Sequence, residues 1–359
     1  MSNIKRLVKK YLKYVLDVGV IGIMMLLTYR LLFKGQEFSE ILEDLRDADN
    51  GWLCIGLVLV FCFIAGESCI IHYLLRMCRQ PIRFYKCLKY SFIGFFFSYI
   101  TPSSSGGQPA QMYYMKKDGV KIGFSTLIML LVTIAYKSVL VIMGLVLLIF
   151  NFDAVSTYGD EMGWLLTLGF VLNVAFIAGL VLIVAKPNAA RRMGLKAVSL
   201  LIKLRVLKNK KREAALDKVT RICDTYVIGS KYLRENMSTV AKAFVMTFLQ
   251  RTCLFAVTWV VYKAYGLSGV SFIDILTMQV MIAIAVEMLP LPGAAGITEA
   301  SFIVMFGEIF GDELVKPAML LSRGLTFYAV LIAGGLVTFV AHIRVMRSDK
   351  ELNIPVEHR

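Results

Sequence analysis

Residues 99–115 read YITPSSSGGQPAQMYYM, and this stretch decides how the sequence around it is interpreted. It contains two prolines, two adjacent glycines and three serines, a composition typical of a surface loop. Apolar residues lie on both sides, with SFIGFFFS at 91–98 and FSTLIMLLVTIAYKSVLVIMGLVLLIF at 124–150. The sequence therefore places a helix-breaking, hydroxyl-rich loop between segments that favour a membrane.

The composition of the whole chain supports a membrane environment. Of the 359 residues, 58% are hydrophobic and 18% are charged, against about 45–50% and about 25% in soluble proteins. The apolar residues form runs of the roughly 20 residues needed to span a bilayer. The net charge of +15 lies mostly in loops, where basic residues set orientation, so we expect no nucleic-acid partner. The fold class is an all-α polytopic membrane protein.

The residue types that hold metals and nucleotides form no recognisable motif. Seven cysteines and three histidines lack metal-ligand spacing, and the cysteines in apolar runs suit packing. No G-x-x-x-x-G-K-[ST] phosphate-binding loop is present. We therefore expect no metal and no cofactor, and any transport would be passive or driven by an ion or proton gradient.

Six full spans and their orientation follow from hydropathy and from basic flanks. The five lysines and arginines of residues 1–13 place the N-terminus in the cytoplasm, and Arg344, Arg347 and Lys350 place the C-terminus there too. The predicted spans are 15–33, 52–75, 124–150, 163–185, 240–265 and 317–343.

Residues 186–238 form a basic cytoplasmic loop with 14 lysines and arginines. Its periodic apolar positions favour an amphipathic helix on the inner membrane surface. The alternative is a solvated connector that simply obeys the orientation rule.

The opening stretch is predicted to be a re-entrant hairpin over about 91–115. Its first apolar segment, from Ser91 to Ile100, would be a helix of about 15 Å, or half a membrane, and basic residues flank the hairpin on both sides. The alternative is a plain extramembrane turn. A second hairpin is predicted over about 272–310, where Pro290, Pro292 and two glycines interrupt an apolar run; here the alternative is that residues 272–288 cross alone.

Each half of the chain then consists of two spans, a hairpin and one span, in opposite orientations. The first half is 1–185, the second is 239–346, and residues 347–359 are a cytoplasmic tail. Inverted halves with corresponding broken segments are typical of secondary transporters. Irregular backbone at membrane depth is tolerated beside protein or a water-filled cavity, so the two loops should meet and line a polar centre.

This polar centre is the predicted substrate site. Pro109 suits the first turn of the helix after the first loop, and Thr298 is predicted to cap the helix after the second, with Glu299 in its first turn. Helix N-termini favour anions such as phosphate. The candidate substrate-binding residues are Ser103, Ser104, Ser105, Gly106, Gly107, Gln108, Gln111, Lys137, Arg251, Pro292, Gly293, Gly296, Thr298, Glu299 and Arg323.

Charged residues inside spans are functional candidates because each costs about 2.5–3.5 kcal/mol on insertion scales. Lys137, Arg251 and Arg323 would attract a phosphate. Proton or ion coupling would use a carboxylate, for which the candidates are Glu67, Glu287 and Glu299. The alternative is that these charges only hold the bundle together, through pairs such as Glu67 with Lys137 or Glu299 with Arg251.

The loops TPSSSGGQPAQMYYMKKDGV and LPLPGAAGITEASF resemble the signature segments of the flippase-like transmembrane domain of bacterial lysylphosphatidylglycerol synthases, or multiple peptide resistance factors. The matching positions are Pro102, Gly106, Gly107 and Gln108 in the first loop, and Pro290, Pro292, Gly293, Gly296 and Glu299 in the second. The resemblance implies movement of aminoacylated phosphatidylglycerol between leaflets of the bacterial cell membrane, linked to resistance to cationic peptides. Family members of full length carry a soluble aminoacyltransferase domain after this one. About 15 residues follow the last predicted span, so we expect a stand-alone member.

The predicted function is a flippase for a phosphatidylglycerol or aminoacyl-phosphatidylglycerol lipid, a polyprenyl phosphate or a glycolipid. Its partners would be lipids with phosphate headgroups, together with a separate lipid synthase, and the chain could form oligomers. One rival is a lipid-modifying transferase, for which Glu299 and the loop serines are available but no Ser/His or Cys/His pair accompanies them. Another is a scaffold on which a phosphatidylglycerol lysyltransferase docks through residues 186–238.

Overall fold

The computed structural model describes residues 47–158, 162–185 and 235–351, together with residues 220, 227 and 231. Within these residues every regular element is a helix, and the β-type pairing is one isolated bridge. The elements are α1 (Asn50–Met77), α2 (Phe84–Ile100), α3 (Gly107–Lys117), α4 (Ile122–Phe150), α5 (Phe152–Tyr158), α6 (Gly163–Ala185), α7 (Met237–Ala264), α8 (Phe272–Val286), α9 (Ile297–Arg323), a π-helix (Gly324–Tyr328) and α10 (Ala329–Glu351). The predicted all-α fold is confirmed.

Five helical stretches of the described residues are long and apolar enough to cross a membrane. They are Asn50–Met77, Ile122–Phe150, Gly163–Ile183, Met237–Ala264 and Ile297–Val345. Four of them match predicted spans within about three residues at each end. The predicted span 15–33 lies outside the described residues, so the total of six spans stays a prediction.

The fifth stretch, Ile297–Val345, consists of two helices joined at a break. Gly311 has a φ of 76°, a left-handed conformation that ends one helix before the next begins. Pro317 lies inside the second helix, six residues after Gly311, and leaves one i→i−4 backbone hydrogen bond unmade there. The part before Gly311 is the outgoing arm of the second predicted hairpin, and the part after it contains the predicted span 317–343.

The arms of the first hairpin differ from the prediction. Helix α2 begins at Phe84, seven residues before the expected start, and its 17 residues extend about 25 Å rather than 15 Å. The early turns of α2 carry Lys86 and Lys89, which lowers hydropathy without breaking the helix, because both lysines pair with Asp118. Helix α3 has 11 residues, or about 16 Å, so neither arm reaches the roughly 30 Å of a hydrocarbon core.

The incoming arm of the second hairpin, α8, has 15 residues and extends about 22 Å. It begins with a capping box, in which the Asp274 N–H donates to the Ser271 hydroxyl and the Ser271 N–H donates to the Asp274 carboxylate. At this length α8 is shorter than the roughly 30 Å of a hydrocarbon core, and the second hairpin stays a prediction.

Small residues hold the helices close together. Helices α1 and α7 run antiparallel, since Gly56 lies against Val260 and Gly66 lies against Gln250. Gly334 of α10 packs on the backbone of α2 at Phe92. Close approach through glycine is common where helices pack inside membranes. These contacts hold α1 against α7 and α10 against α2.

The basic loop predicted over 186–238 lies almost entirely outside the described residues, and the division of the chain into two inverted halves stays a prediction.

Candidate functional site

The two broken loops meet. Pro102 of the first loop and Pro292 of the second form an antiparallel backbone bridge, and the Ser103 hydroxyl donates to the carbonyl of Leu289 at 3.3 Å. Pro102 and Pro292 are 190 residues apart in the sequence. The expectation that the loops come together therefore holds in the structure.

The loops share the backbone conformation of their first turn and diverge after it, since Gly106 has a φ of −84° and Gly296 a φ of 85°. Ser103 and Ser104 have φ values of 49° and 55°, and Gly293 and Ala294 have φ values of 58° and 50°. Such left-handed values are uncommon outside glycine and mark a constrained backbone. Corresponding turns follow, since residues 104 and 105 bond back to 101 and 102 as residues 294 and 295 bond back to 291 and 292. The first loop carries serines where the second carries glycine and alanine, so equivalent backbones differ in polarity.

The first loop leaves its hydroxyl groups accessible. Ser104 and Ser105 are exposed, and no carboxylate lies in the first turn of α3. The N–H of Gly106 donates to the Thr101 hydroxyl at 2.8 Å. Gly107 is buried against Ser98 of α2, where a side chain would not fit.

The helix after the second loop, α9, is capped by a residue other than the predicted Thr298, and this corrects the expected role of Thr298. Helix α9 starts after Gly296, whose φ is 85°. The Glu299 carboxylate accepts from the Gly296 N–H at 2.7 Å, so Glu299 satisfies the helix end from its first turn. Thr298 instead donates to the Ala294 carbonyl at 2.9 Å. This helix N-terminus is therefore already occupied by a carboxylate.

Two cations share one carboxylate beside the second loop. The Lys137 ammonium lies 2.8 Å from Glu287 Oε2, and both terminal nitrogens of Arg251 lie 2.9 Å from Glu287 Oε1. The Arg251 side chain is 0% exposed, and Lys137 and Glu287 are 12% and 23% exposed. With two positive charges and one negative charge, this group carries a net charge of +1.

Arg251 is also enclosed by aromatic rings. Its guanidinium carbon lies 4.0 Å from the ring centroid of Tyr136 and 4.6 Å from that of Phe255, distances at which cation–π attraction is effective. Its Nε has no hydrogen-bond partner among the described residues. Arg251 is thus a fixed buried charge, and Lys137 is the more accessible cation of the pair.

The third cation, Arg323, joins α9 to the second loop. Its Nε donates to Glu299 at 2.8 Å, and its terminal nitrogen donates to the Gly293 carbonyl at 3.3 Å. It lies 4.3 Å from the Phe327 ring of the π-helix. Single π-helical turns occur often at functional sites, and this one places Phe327 under Gly293.

Glu67 stands apart from the cations. Its carboxylate, on α1, accepts from the Gln111 amide of α3 at 2.6 Å, and the side chain is only 7% exposed. Gln111 passes across Gly94 of α2, where a Cβ would overlap its amide. The amide of Gln250 also faces this carboxyl group, and its Nε2 lies beyond hydrogen-bond distance of any acceptor among the described residues.

The structure corrects both ion pairs suggested from the sequence. Lys137 pairs with Glu287, not with Glu67, and Arg251 pairs with Glu287, not with Glu299. Glu299 pairs with Arg323 instead. Of the remaining predicted residues, Gln108 donates to the Thr133 hydroxyl at 3.3 Å.

Two tyrosines that the sequence analysis did not select lie among these groups. Tyr99 donates to the Thr326 carbonyl at 3.0 Å and stacks near Phe327, with centroids 4.7 Å apart. Its hydroxyl lies within electrostatic range of Arg323, Glu287, Glu67 and Arg251. Its signal in the sequence was its position three residues before the first loop proline, since Tyr and Trp usually find a polar partner when buried.

Tyr136 has a similar position on α4. It neighbours Lys137 in sequence, lies under Arg251, and is within electrostatic range of Glu287 and Glu67. The Glu67 carboxyl and the two ion-pair groups therefore belong to one polar centre.

No group of three or more His, Cys, Asp or Glu side chains suited to a metal occurs in the part of the chain that the structure describes. The centre can offer cations, hydroxyl groups, amides and one carboxyl group without a cation. These groups suit binding of an anionic group that also carries hydrogen-bonding atoms.

A second charged group lies at the turn after α3, at the other end of α2. Asp118 accepts from Lys89 and from Tyr90, each at 2.6 Å, and pairs with Lys86 at 3.2 Å. Burial alone raises the pKa of the Asp118 carboxyl group, but these hydrogen bonds and the Lys89 charge outweigh burial and lower its pKa below the ordinary value. This group fixes α2 to the turn between α3 and α4.

Comparison with known proteins agrees with this architecture. Residues 14–334 match the family described as "Lysylphosphatidylglycerol synthase TM region". The chain is also 24% identical over 292 residues to a "UPF0104 membrane protein" of Archaeoglobus fulgidus, covering 78% of this chain and 85% of the relative. With its apolar spanning helices, the chain is a multi-pass membrane protein that belongs to the lysylphosphatidylglycerol synthase transmembrane-region family.

Proposed function

We propose that the protein is a flippase that moves lipids with an anionic phosphate headgroup between the two leaflets of the cell membrane. The observation that carries the proposal is the unbalanced charge beside the second loop, where Glu287 is the one carboxylate among the described residues that pairs with Lys137 and Arg251. A buried excess charge is costly without a counter-charge. A phosphate in this place would supply one.

The first loop supplies the other half of the headgroup site in this proposal. Ser104 and Ser105 are exposed and close to the Pro102–Pro292 bridge in the chain. The N-terminus of α3 carries no carboxylate, so its partial positive charge is available to an anion. The corresponding end of α9 is occupied by Glu299. The headgroup would therefore lie nearer the first loop, with the acyl chains remaining in lipid.

The two loops are proposed to enter from opposite faces, with the N- and C-termini in the cytoplasm. A centre built from two broken helices can open to one side at a time, as in alternating access. Phosphatidylglycerol is the first lipid to test, followed by aminoacyl-phosphatidylglycerol, a polyprenyl phosphate and a glycolipid. The charge excess favours the anionic lipids over a neutral glycolipid.

Leaflet exchange in vesicles tests the proposal. Purified protein is reconstituted with fluorescent phosphatidylglycerol in one leaflet, and exchange is followed by the fraction of label that an impermeant reductant quenches. Lys137→Met leaves Arg251 and Glu287 as a neutral pair and removes the excess charge. A charged hydrogen bond contributes about 1.5–3 kcal/mol, so exchange should fall about tenfold or more.

Lys116→Met is the matched control, because Lys116 is an exposed lysine of α3, and it should exchange lipid at the wild-type rate. Exchange no faster than in protein-free vesicles for every lipid tried would refute transport. A covalently changed lipid made by the purified protein alone would favour the transferase. Capture of a lipid synthase by residues 186–238 in the absence of exchange would favour the scaffold.

A further inference from the structure

Three carboxylates lie in the polar centre, and they differ in their partners. Glu287 is held by Lys137 and Arg251, and Glu299 is held by Arg323 and a backbone N–H. A carboxylate held by cations at hydrogen-bond distance stays ionised, because protonation would leave those cations buried and unpaired. These two groups are therefore poorly suited to exchange a proton.

Glu67 is the exception. It has an amide partner, Gln111, and no cation within ion-pair distance among the described residues. Ionising a buried carboxyl group that has only an amide partner costs far more than ionising one that cations hold. The side chain is 7% exposed, so nearly all of it lies inside the protein.

Among the described residues, the groups around Glu67 come from the helices packed on this part of α1. Helix α7 contributes Gln250 and, next to it, Arg251, which is bound to Glu287. Helix α2 contributes Tyr99, and helix α4 contributes Tyr136 beside Lys137. The charged groups at the two ends of α9, Glu299 and Arg323, bond to each other.

The charges of the centre connect Glu67 to anion binding. With Glu287 and Glu299 ionised and all three cations charged, the centre carries +1 while Glu67 is protonated and 0 when it is ionised. An anionic headgroup is attracted to the first state and loses that attraction in the second. We infer that Glu67 is the proton-coupling residue, so that one anionic lipid headgroup and one proton occupy the centre together and cross together.

This inference rests on the proposed function. The proton comes from water on the side to which the site is open, binds a Glu67 oxygen, and returns to water on the other side after the headgroup leaves. Lipid and proton together carry no net charge in this scheme. A pH gradient should therefore drive lipid exchange, and a membrane voltage alone should not.

The geometry also connects Glu67 to the first loop. Gln111 lies one turn into α3, the helix that leaves the loop at Gly107, and it reaches Glu67 across Gly94. Ionised Glu67 holds the Gln111 N–H, whereas a protonated carboxyl group bonds it more weakly. Protonation thus loosens the connection between α1 and the helix that carries the loop.

The test combines pH-dependent exchange with proton uptake. In vesicles with phosphatidylglycerol, wild-type exchange should fall as pH rises, with a limiting slope of about tenfold per pH unit for one proton. A trapped pH indicator should show protons moving with the lipid. Glu67→Gln fixes the uncharged form, so its exchange should continue, be independent of pH and move no protons.

Glu308→Gln makes the same change at an exposed glutamate and should keep the wild-type pH profile and proton movement. The second readout needs no variant. Because linkage is reciprocal, adding short-chain phosphatidylglycerol to wild-type protein in weakly buffered detergent should cause uptake of up to one proton per chain.

Wild-type exchange that is equal at every pH and moves no protons would overturn the coupling while leaving the flippase intact. Proton movement retained in Glu67→Gln would also overturn it. Absence of any exchange would remove the proposed function and the coupling with it.

Discussion

Replacing Glu287 by glutamine should destabilise the protein more than any other single change in the polar centre. Glu287→Gln keeps the side-chain volume and removes the charge that two cations share. Arg251 is 0% exposed and cannot reach water, so its charge would remain buried without a partner. Breaking a buried pair in this way costs about 3–5 kcal/mol.

Replacing either neighbouring cation should lower the free energy of unfolding less than replacing Glu287. Arg251→Met leaves Glu287 with Lys137, and Lys137→Met leaves it with Arg251, so each variant keeps a neutral pair. Lys137→Met should be the mildest because Arg251 retains both of its hydrogen bonds to Glu287. Lys137→Met, which removes the excess charge, is therefore expected to fold. A loss of lipid exchange in this variant would then not be caused by a loss of stability.

Equilibrium unfolding in mixed detergent micelles measures these free energies. Glu308→Gln serves as the matched control and should lie within about 0.5 kcal/mol of wild type, as is usual for an exposed site. Anionic lipid should partly restore Glu287→Gln, since a phosphate would replace the lost charge. A loss no larger than in the control, or an order in which Lys137→Met is the worst, would refute the shared-carboxylate arrangement.

Gly293→Val should reduce both stability and exchange, because a side chain there meets the Phe327 ring and a left-handed φ costs about 1–2 kcal/mol. The control is Gly266→Val, which has a φ of 69° and open space around it. It introduces the backbone strain without the clash and should keep lipid exchange in the vesicle assay. For Asp118, the lowered pKa means that its stabilising contribution is present above the ordinary value of 3.8 and is lost as pH falls through the lower folded value. Asp118→Asn should remove that loss, which acid titration of unfolding in detergent would show; an unchanged acid transition would contradict the pairing with Lys89.

Hydropathy and helix breakers predicted the spans and the two broken segments well, because both are local properties of the sequence. The Pro and Gly residues at 102–107 and 290–296 placed the loops. The start of α2 was wrong because Lys86 and Lys89 lower hydropathy, while their pairing with Asp118, about 30 residues away, keeps them in a helix.

The pairs within the centre could not be predicted because they depend on the relative depth and rotation of helices far apart in sequence. Lys137 and Glu287 are 150 residues apart, and spacing gave no means of choosing between Glu287, Glu67 and Glu299. Thr298 was mistaken for a cap because the helix starts two residues earlier than predicted, after Gly296 with its left-handed φ. Tyr99 and Tyr136 were missed because an aromatic residue in an apolar run is usually a packing residue.

The most direct test of the account is to locate a lipid phosphate in the protein. Electron cryomicroscopy of the protein in phosphatidylglycerol nanodiscs should show phosphate density within about 3 Å of the Lys137 ammonium, beside the loop of Ser104 and Ser105. In Lys137→Met that density should disappear while the helices stay in place. Headgroup density confined to the basic surface around Lys116, with none beside Lys137 in the wild type, would contradict the account.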